Sequence, residues 1–131
     1  MKKKIRGYVF SRSFMGERVP QHVQNLVIRD YCERNGLLFL LSASEYAMEN
    51  CHLILKLLVE ELPLIDGIAM YSLFQLPKGY EERNFIYEQF LSAEKTIHFC
   101  VEGLSMKTEE DKNKIENIWR VKQTLAGIDK I

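Results

Sequence analysis

The sequence predicts an α/β fold: one parallel sheet of four strands in the order 2-1-3-4, helices on both faces, and an amphipathic helix at the C-terminus. Three observations carry this expectation. Short runs of β-branched, aromatic and aliphatic residues recur at Ile5–Phe10, Leu37–Ala43, Gly67–Tyr71 and Thr96–Val101, each of strand length. Segments with apolar residues at helical spacing follow each of them. A chain that alternates strand and helix makes right-handed crossovers, which set successive strands parallel with helices on the two faces.

Each element has its own signal. Ile5–Phe10 (IRGYVF) is the first strand, and the polar stretch Ser11–Val19 is the loop after it. Pro20 suits the first position of a helix, where its missing N–H is not required. Val23, Leu26, Val27 and Tyr31 mark that helix's apolar face, and Asn35-Gly36 ends it because both residues tolerate a left-handed cap. Leu37–Ala43 (LLFLLSA) is apolar almost throughout, the pattern of a central strand covered on both faces. A second helix is expected over Met48–Leu62, with Cys51, Ile54, Leu55, Leu58 and Val59 at the 3.6-residue period and Pro63 as its stop. Asp66-Gly67 turns into the third strand, Gly67–Tyr71, and Pro77-Lys78-Gly79 punctuates the loop beyond it. Tyr80–Ala93 is the third helix and Thr96–Val101 (TIHFCV) the fourth strand. Lys107–Ala126 is charged, with Ile115, Ile118, Trp119, Val121 and Leu125 interleaved, as in an amphipathic helix. Residues 1–106 are thus expected to form the α/β domain, and 107–131 a helix that packs on it or on a partner.

Composition narrows the function. The chain has 131 residues, 47% hydrophobic and 27% charged, which is a globular composition of one-domain length. Its 18 Lys and Arg balance 18 Asp and Glu, and this neutrality argues against nucleic acid as the main partner. The balance is uneven along the chain: residues 1–36 carry 8 basic and 3 acidic side chains, and residues 37–106 carry 4 and 10. The first strand–helix unit therefore suits a small, localised anion. No apolar run is long enough to span a bilayer, and the basic start lacks the apolar stretch of a signal peptide, so the expectation is a cytoplasmic protein without a membrane partner. Cys32, Cys51 and Cys100 suit reduced thiols better than a disulfide framework. His22, Cys51, His52 and His98 lack the paired spacing of metal ligands, and no cofactor motif is present.

In an open parallel sheet, ligands sit outside the carboxyl ends of the strands. That rule selects Ser11–Val19, Ser44–Asn50, Ser72–Gly79 and Glu102–Ser105. Arg12, flanked by Ser11 and Ser13, lies beside the start of the first helix, where a guanidinium and free N–H groups suit an anion; a solvated basic loop is the other reading. Gln21, Asn25 and Arg29 share a helical face at i, i+4, i+8, suited to hydroxyl groups or simply to solvent. Glu45, beside Tyr46, is the acid nearest the second strand's end. It suits a general base, a hydroxyl acceptor or a partner for Arg12, the last being favoured because a charge at a sheet mouth normally has a partner. Tyr71 and Ser72 end the third strand, where their hydroxyls are expected to face the same region. On the last helix, the Ile115 and Trp119 stripe suits intramolecular packing or contact with another copy of the chain.

Two resemblances add to this reading. From Gly7 to Glu102, the segments GYVFSRS, IDGIAMYSLFQL and HFCVEGL, followed by a long helix, resemble the catalytic domain of serine recombinases. This implies a resolvase-like, flavodoxin-like fold with dimer contacts on the last helix. The family's chemistry is not implied: its Arg position on strand one falls at Phe10, its nucleophile position near Arg12, and its acidic-Arg pair at Phe74-Gln75. The blocks RGYVFSR, VPQHVQNLVIRDYCERNGL, SASEYAMENC, DGIAMYSLFQLP and IHFCVEGL are more specifically similar to the sporadic carbohydrate cluster family of bacteria. That resemblance implies a role among genes for surface polysaccharide and nonulosonic-acid-type sugars, with a sugar, sugar nucleotide or sugar-modified lipid as ligand.

Two functions follow as expectations. In the first, the protein binds or modifies a sugar or sugar nucleotide: Arg12 holds an anionic group, Gln21, Asn25 and Arg29 bind hydroxyls or phosphate, Glu45 is acid/base or orienter with Ser11 and Ser13 as further catalytic candidates, and Tyr46, Tyr71 and Ser72 complete the wall. In the second, it is a non-catalytic module that forms a homo-oligomer or binds a biosynthetic partner through Ile115 and Trp119. A residual DNA-acting role is the remaining alternative.

Overall fold

The first strand, β1 (Lys4–Val9), is central in a five-stranded sheet whose order is β2-β1-β3-β4-β5. The others are β2 (Leu38–Ser44), β3 (Gly67–Met70), β4 (Thr96–Phe99) and β5 (Leu104–Met106). The computed structural model describes residues 1–129. Strands β1 to β4 are mutually parallel, and β5 runs antiparallel to β4. The expected sheet of four parallel strands is corrected by this fifth one. After β4 the chain reverses through Cys100–Gly103, with Gly103 at φ +66°, so Leu104 pairs back on Phe99. Glu102–Ser105 is therefore not wholly a loop.

Four helices cover the sheet: α1 (Gln21–Arg34), α2 (Leu53–Glu60), α3 (Tyr80–Ser92) and α4 (Glu109–Asp129). Helix α1 lies on one face with Ile28 and Cys32 packed on Ile5, Val9 and Ala69. The opposite face carries the larger core, in which Leu55 and Leu58 of α2, Ile86 and Phe90 of α3, and Ile115 and Trp119 of α4 meet Tyr8, Ile68, Ile97 and Met106. The alternation along β1 follows from the two-residue period of a strand, which sends Ile5 and Val9 to one face and Tyr8 to the other. No described helix is long and apolar enough to cross a membrane.

Two elements depart from expectation. Helix α2 begins at Leu53, not Met48, and leaves Cys51 outside it. Asn50, at φ +59°, turns the chain just before the helix, in a conformation asparagine tolerates better than most residues. Strand β2 lies at the sheet edge, and its apolar residues are only partly covered: Leu41 is 83% exposed. Its pairing with β1 shifts by one residue between Arg6 and Tyr8.

Close approach constrains β3 at Gly67. A Cβ there would fall on the Thr96 carbonyl of β4, a backbone atom held in the ladder. Gly67→Ala is expected to destabilise the fold by about 2 kcal/mol, the cost of overpacking. A urea midpoint unchanged from wild type would refute this.

Candidate functional site

The chain's crossovers switch sides between β1 and β3, since the connections from these two parallel strands lead to helices on opposite faces. At the carboxyl ends of these two strands the chain forms a narrow cleft of about 40 Å³. Its walls come from the loop after β1 (Arg12, Ser13), the residues before α2 (Asn50, His52) and the loop after β3 (Gln75, Lys78).

Buried amides shape this mouth. Gln24 of α1 is fully buried and donates to the Phe10 and Val19 carbonyls at 2.7 and 2.8 Å. Its carbonyl oxygen accepts from the Phe10 amide at 3.3 Å and from the Gln75 side chain at 2.8 Å. One side chain thus ties the end of β1 to the loop after β3. Gln75 in turn accepts from the Ser72 amide, while the Ser72 hydroxyl accepts from Phe74, an arrangement that caps a single turn of 3-10 helix at Leu73–Gln75. Ser72 also donates to Glu102 at 2.7 Å, and the second Glu102 oxygen accepts from the Leu73 amide at 3.0 Å.

Arg12 sets the charge. Its guanidinium lies 4.3 Å from the centre of the Phe10 ring and donates to the Tyr46 and Met48 carbonyls at 3.0 and 3.2 Å. Its other terminal nitrogen faces the His52 ring at 3.4 Å. Among the described residues no carboxylate lies within ion-pair distance of Arg12 or Lys78, so the expected pair between Arg12 and Glu45 does not form. Burial, then the nearby Arg12 charge, pushes the His52 pKa below its ordinary value. Both influences favour the neutral imidazole. Glu49 also lines the cleft, from an exposed position, leaving two cations against one carboxylate.

Glu45 has a different place. It is 4% exposed and accepts from the Tyr8 hydroxyl (2.8 Å) and from the amides of Tyr46 (3.1 Å), Ile54 (3.0 Å) and Leu55 (3.2 Å). Burial alone would raise its pKa, but these hydrogen bonds lower it below the ordinary carboxylate value. It is a charged acceptor for the free amides at the start of α2, and it does not line the cleft.

The other expected site residues divide similarly. Ser13 lines the cleft; Ser11 is half-buried beside it in sequence. Gln21 and Asn25 accept from Ser44 (3.2 Å) and Ser42 (2.5 Å) of β2, and Arg29 is exposed on the same helix. That polar face of α1 therefore leans on the edge strand and not on the cleft. Tyr46 is 52% exposed, and Tyr71 packs edge-on against Phe14 with centroids 6.2 Å apart. His52, Asn50, Gln75 and Lys78 join the site without having been singled out in the sequence. Asn50, Gln75 and Lys78 carried a signal, since they sit in loops the strand-end rule selects; Gln24 carried none.

Ile115 and Trp119 are each 1% exposed within the chain itself, so they form core here and are not a surface for another copy. No group of three or more His, Cys, Asp or Glu side chains among the described residues converges as a metal site. Cys32, Cys51 and Cys100 are free thiols.

No protein-family profile and no curated protein sequence matches this chain. Solved structures do resemble it. The N-terminal catalytic domain of TP901-1 integrase superposes with a TM-score of 0.64 at 11% identity, covering 95% of this chain and 96% of that one. The C-terminal catalytic domain of ISC1926 TnpA, an IS607-like serine recombinase, gives 0.54 at 16% identity, covering 89% and 98%. At such identities the likeness is one of architecture: the chain has the resolvase-like α/β fold of serine recombinase catalytic domains.

Proposed function

We propose that this domain binds an anionic sugar derivative, a sugar phosphate or sugar nucleotide, at the carboxyl ends of β1 and β3, in bacterial surface-carbohydrate biosynthesis. The observation that carries the reading is Arg12. Backbone carbonyls hold its guanidinium at the cleft, which Lys78 also lines, and among the described residues no carboxylate makes an ion pair with either. A cation so placed is suited to a phosphate. The resemblance to the sporadic carbohydrate cluster family supports the sugar class. The cleft is far smaller than the several hundred Å³ of a whole-ligand pocket, so it fits the charged group alone.

The reading is of binding. Glu45 and Glu102, the acids nearest the strand ends, have their oxygens occupied by hydrogen bonds that hold the fold. Calorimetric titration with glucose 1-phosphate and UDP-glucose checks it. Binding is expected for wild type, and Arg12→Ala is expected to weaken it at least about tenfold, the scale of one charged hydrogen bond. No heat for either compound at millimolar concentration would overturn the proposal.

DNA strand exchange is not part of it. Phe10 and Gln75 stand where the recombinase resemblance would call for Arg, and both are buried. A supporting cation for a phosphoryl-transfer step is therefore missing from those positions. Salt-sensitive DNA binding would reverse this judgement.

A second reading, an interaction module that assembles with another copy, is favoured by one feature of α4. Val121 and Leu125 lie four residues apart on its solvent side and are 59% and 53% exposed. If this face makes a dimer, Val121→Glu should convert the wild-type mass in light scattering to that of a monomer. A wild type already monomeric at high concentration rules it out.

A further inference from the structure

A second opening adjoins the cationic cleft. Between α2 and α3 lies a groove of about 320 Å³ whose floor is Pro77, Phe85 and Ile86. His52 belongs to both spaces, and Pro77 sits between Leu76 and Lys78, which line the first. The two are thus neighbours sharing one wall. Phe85 is 49% exposed, and among the described residues its ring stacks on no other aromatic.

We infer that the ligand is a nucleotide, whose phosphate sits at Arg12 and Lys78 while its base lies in the α2–α3 groove against Phe85. This rests on the anion-binding reading above and adds the class of ligand. The groove's chemistry matches a nucleobase better than other apolar groups. Pro77, Phe85 and Ile86 line it with apolar groups, and the exposed Lys56, Glu81 and Glu82 form its rim. A base has an apolar face to stack and polar edges that offer both donors and acceptors. An acyl chain would use only the apolar lining and would offer the rim's lysine and carboxylates no hydrogen-bond partner, whereas the edges of a base can bond them. The volume lies at the lower end of small-ligand sites, so a base fits within it. Base–aromatic stacking contributes without demanding a particular base, while the rim carboxylates favour bases that present amino groups.

The test compares uridine, cytidine, adenosine and guanosine 5′-monophosphates with glucose 1-phosphate, by calorimetric titration on the full chain. At least one nucleotide is expected to bind about tenfold or more tightly than the sugar phosphate. Phe85→Ser should remove that advantage while leaving glucose 1-phosphate affinity within twofold, and Phe85→Tyr should restore it. Arg12→Ala should weaken both ligands. If glucose 1-phosphate binds through Arg12 but no nucleotide binds more tightly, or Phe85→Ser changes nothing, this inference fails and the anion site stands. If neither class binds, both fail. Tighter binding of a phosphate-bearing lipid, lost in Phe85→Ser, would also overturn the nucleotide assignment. A thermal melt of Phe85→Ser close to wild type certifies that the variant is folded.

Discussion

Arg83→Ala is expected to lower the unfolding free energy by about 3 kcal/mol or more, the usual result of leaving half of a buried ion pair. Arg83, on α3, is 3% exposed. Its Nε and Nη2 donate to the two oxygens of Glu116 on α4 at 2.8 and 2.9 Å, and its Nη1 donates to the Pro77 and Lys78 carbonyls at 3.1 and 2.6 Å. The guanidinium also lies 4.3 Å from the Trp119 ring centre. One side chain therefore fixes α4, α3 and the loop that carries Lys78. The same substitution leaves Glu116 without its cation, with the Tyr87 hydroxyl still donating to it. Arg83→Met with Glu116→Leu should recover much of the loss, because an apolar pair leaves no buried charge unmatched.

Trp119 is the only tryptophan in the sequence, so its emission reports this helix directly. A red shift in Arg83→Ala at neutral pH marks α4 loosening before global unfolding. Acid should do the same in wild type. Burial alone would raise the Glu116 pKa, but the hydrogen bonds from Arg83 and Tyr87, with the Arg83 charge, lower it. A carboxylate lowered in the folded state stabilises fully above its unfolded pKa and loses that contribution as pH falls through the folded value. The shift is thus expected below the ordinary carboxylate range. A variant within about 1 kcal/mol of wild type in urea would show that the pair contributes little.

What the sequence made legible follows from which forces are local. Strand and helix identity came from periodicity, which is set by each segment's own side chains. The strand-end loops came from the alternation of elements, because topology alone places them at one edge of the sheet. Burial of β2 was misread for the converse reason. LLFLLSA reads as a central strand, but whether a strand is covered depends on its neighbours, and β2 has one on only one side. Strand β5 is three residues long, too short for any period, and Gly103 was its one local mark. Within the site, Arg12 was legible because a cation next to a strand end is informative by position. Gln24 was not, and Glu45 was located but its role was misread, because the role of a polar side chain is fixed by partners distant in sequence.

Glu45→Ala is expected to cost about 3 kcal/mol, and it separates a structural carboxylate from a catalytic one. The substitution leaves the Tyr8 hydroxyl, itself fully buried, and the amides of Ile54 and Leu55 without their acceptor. Orphaned buried donors cost about 1–3 kcal/mol each, and the sum falls short of three such losses where water or a shifted helix end supplies a substitute. Glu45→Gln keeps one acceptor oxygen but loses the charge at the start of α2, so its cost should be smaller, about 1 kcal/mol. The pH dependence has the same sign as for Glu116. The Glu45 pKa is lowered in the fold, so its contribution is present above the unfolded carboxylate pKa and disappears as acid protonates the folded state. Burial raises the Tyr8 pKa, with the Glu45 charge adding to it, so the phenol remains a proton donor throughout that range. Glu45→Gln should therefore show a shallower loss of stability in acid than wild type. It should also bind glucose 1-phosphate within about twofold of wild type, because the cleft is lined by Arg12 and Lys78 and not by this carboxylate. A folded Glu45→Gln with wild-type stability and no ligand affinity would return Glu45 to the site and overturn its role as the acceptor that holds α2.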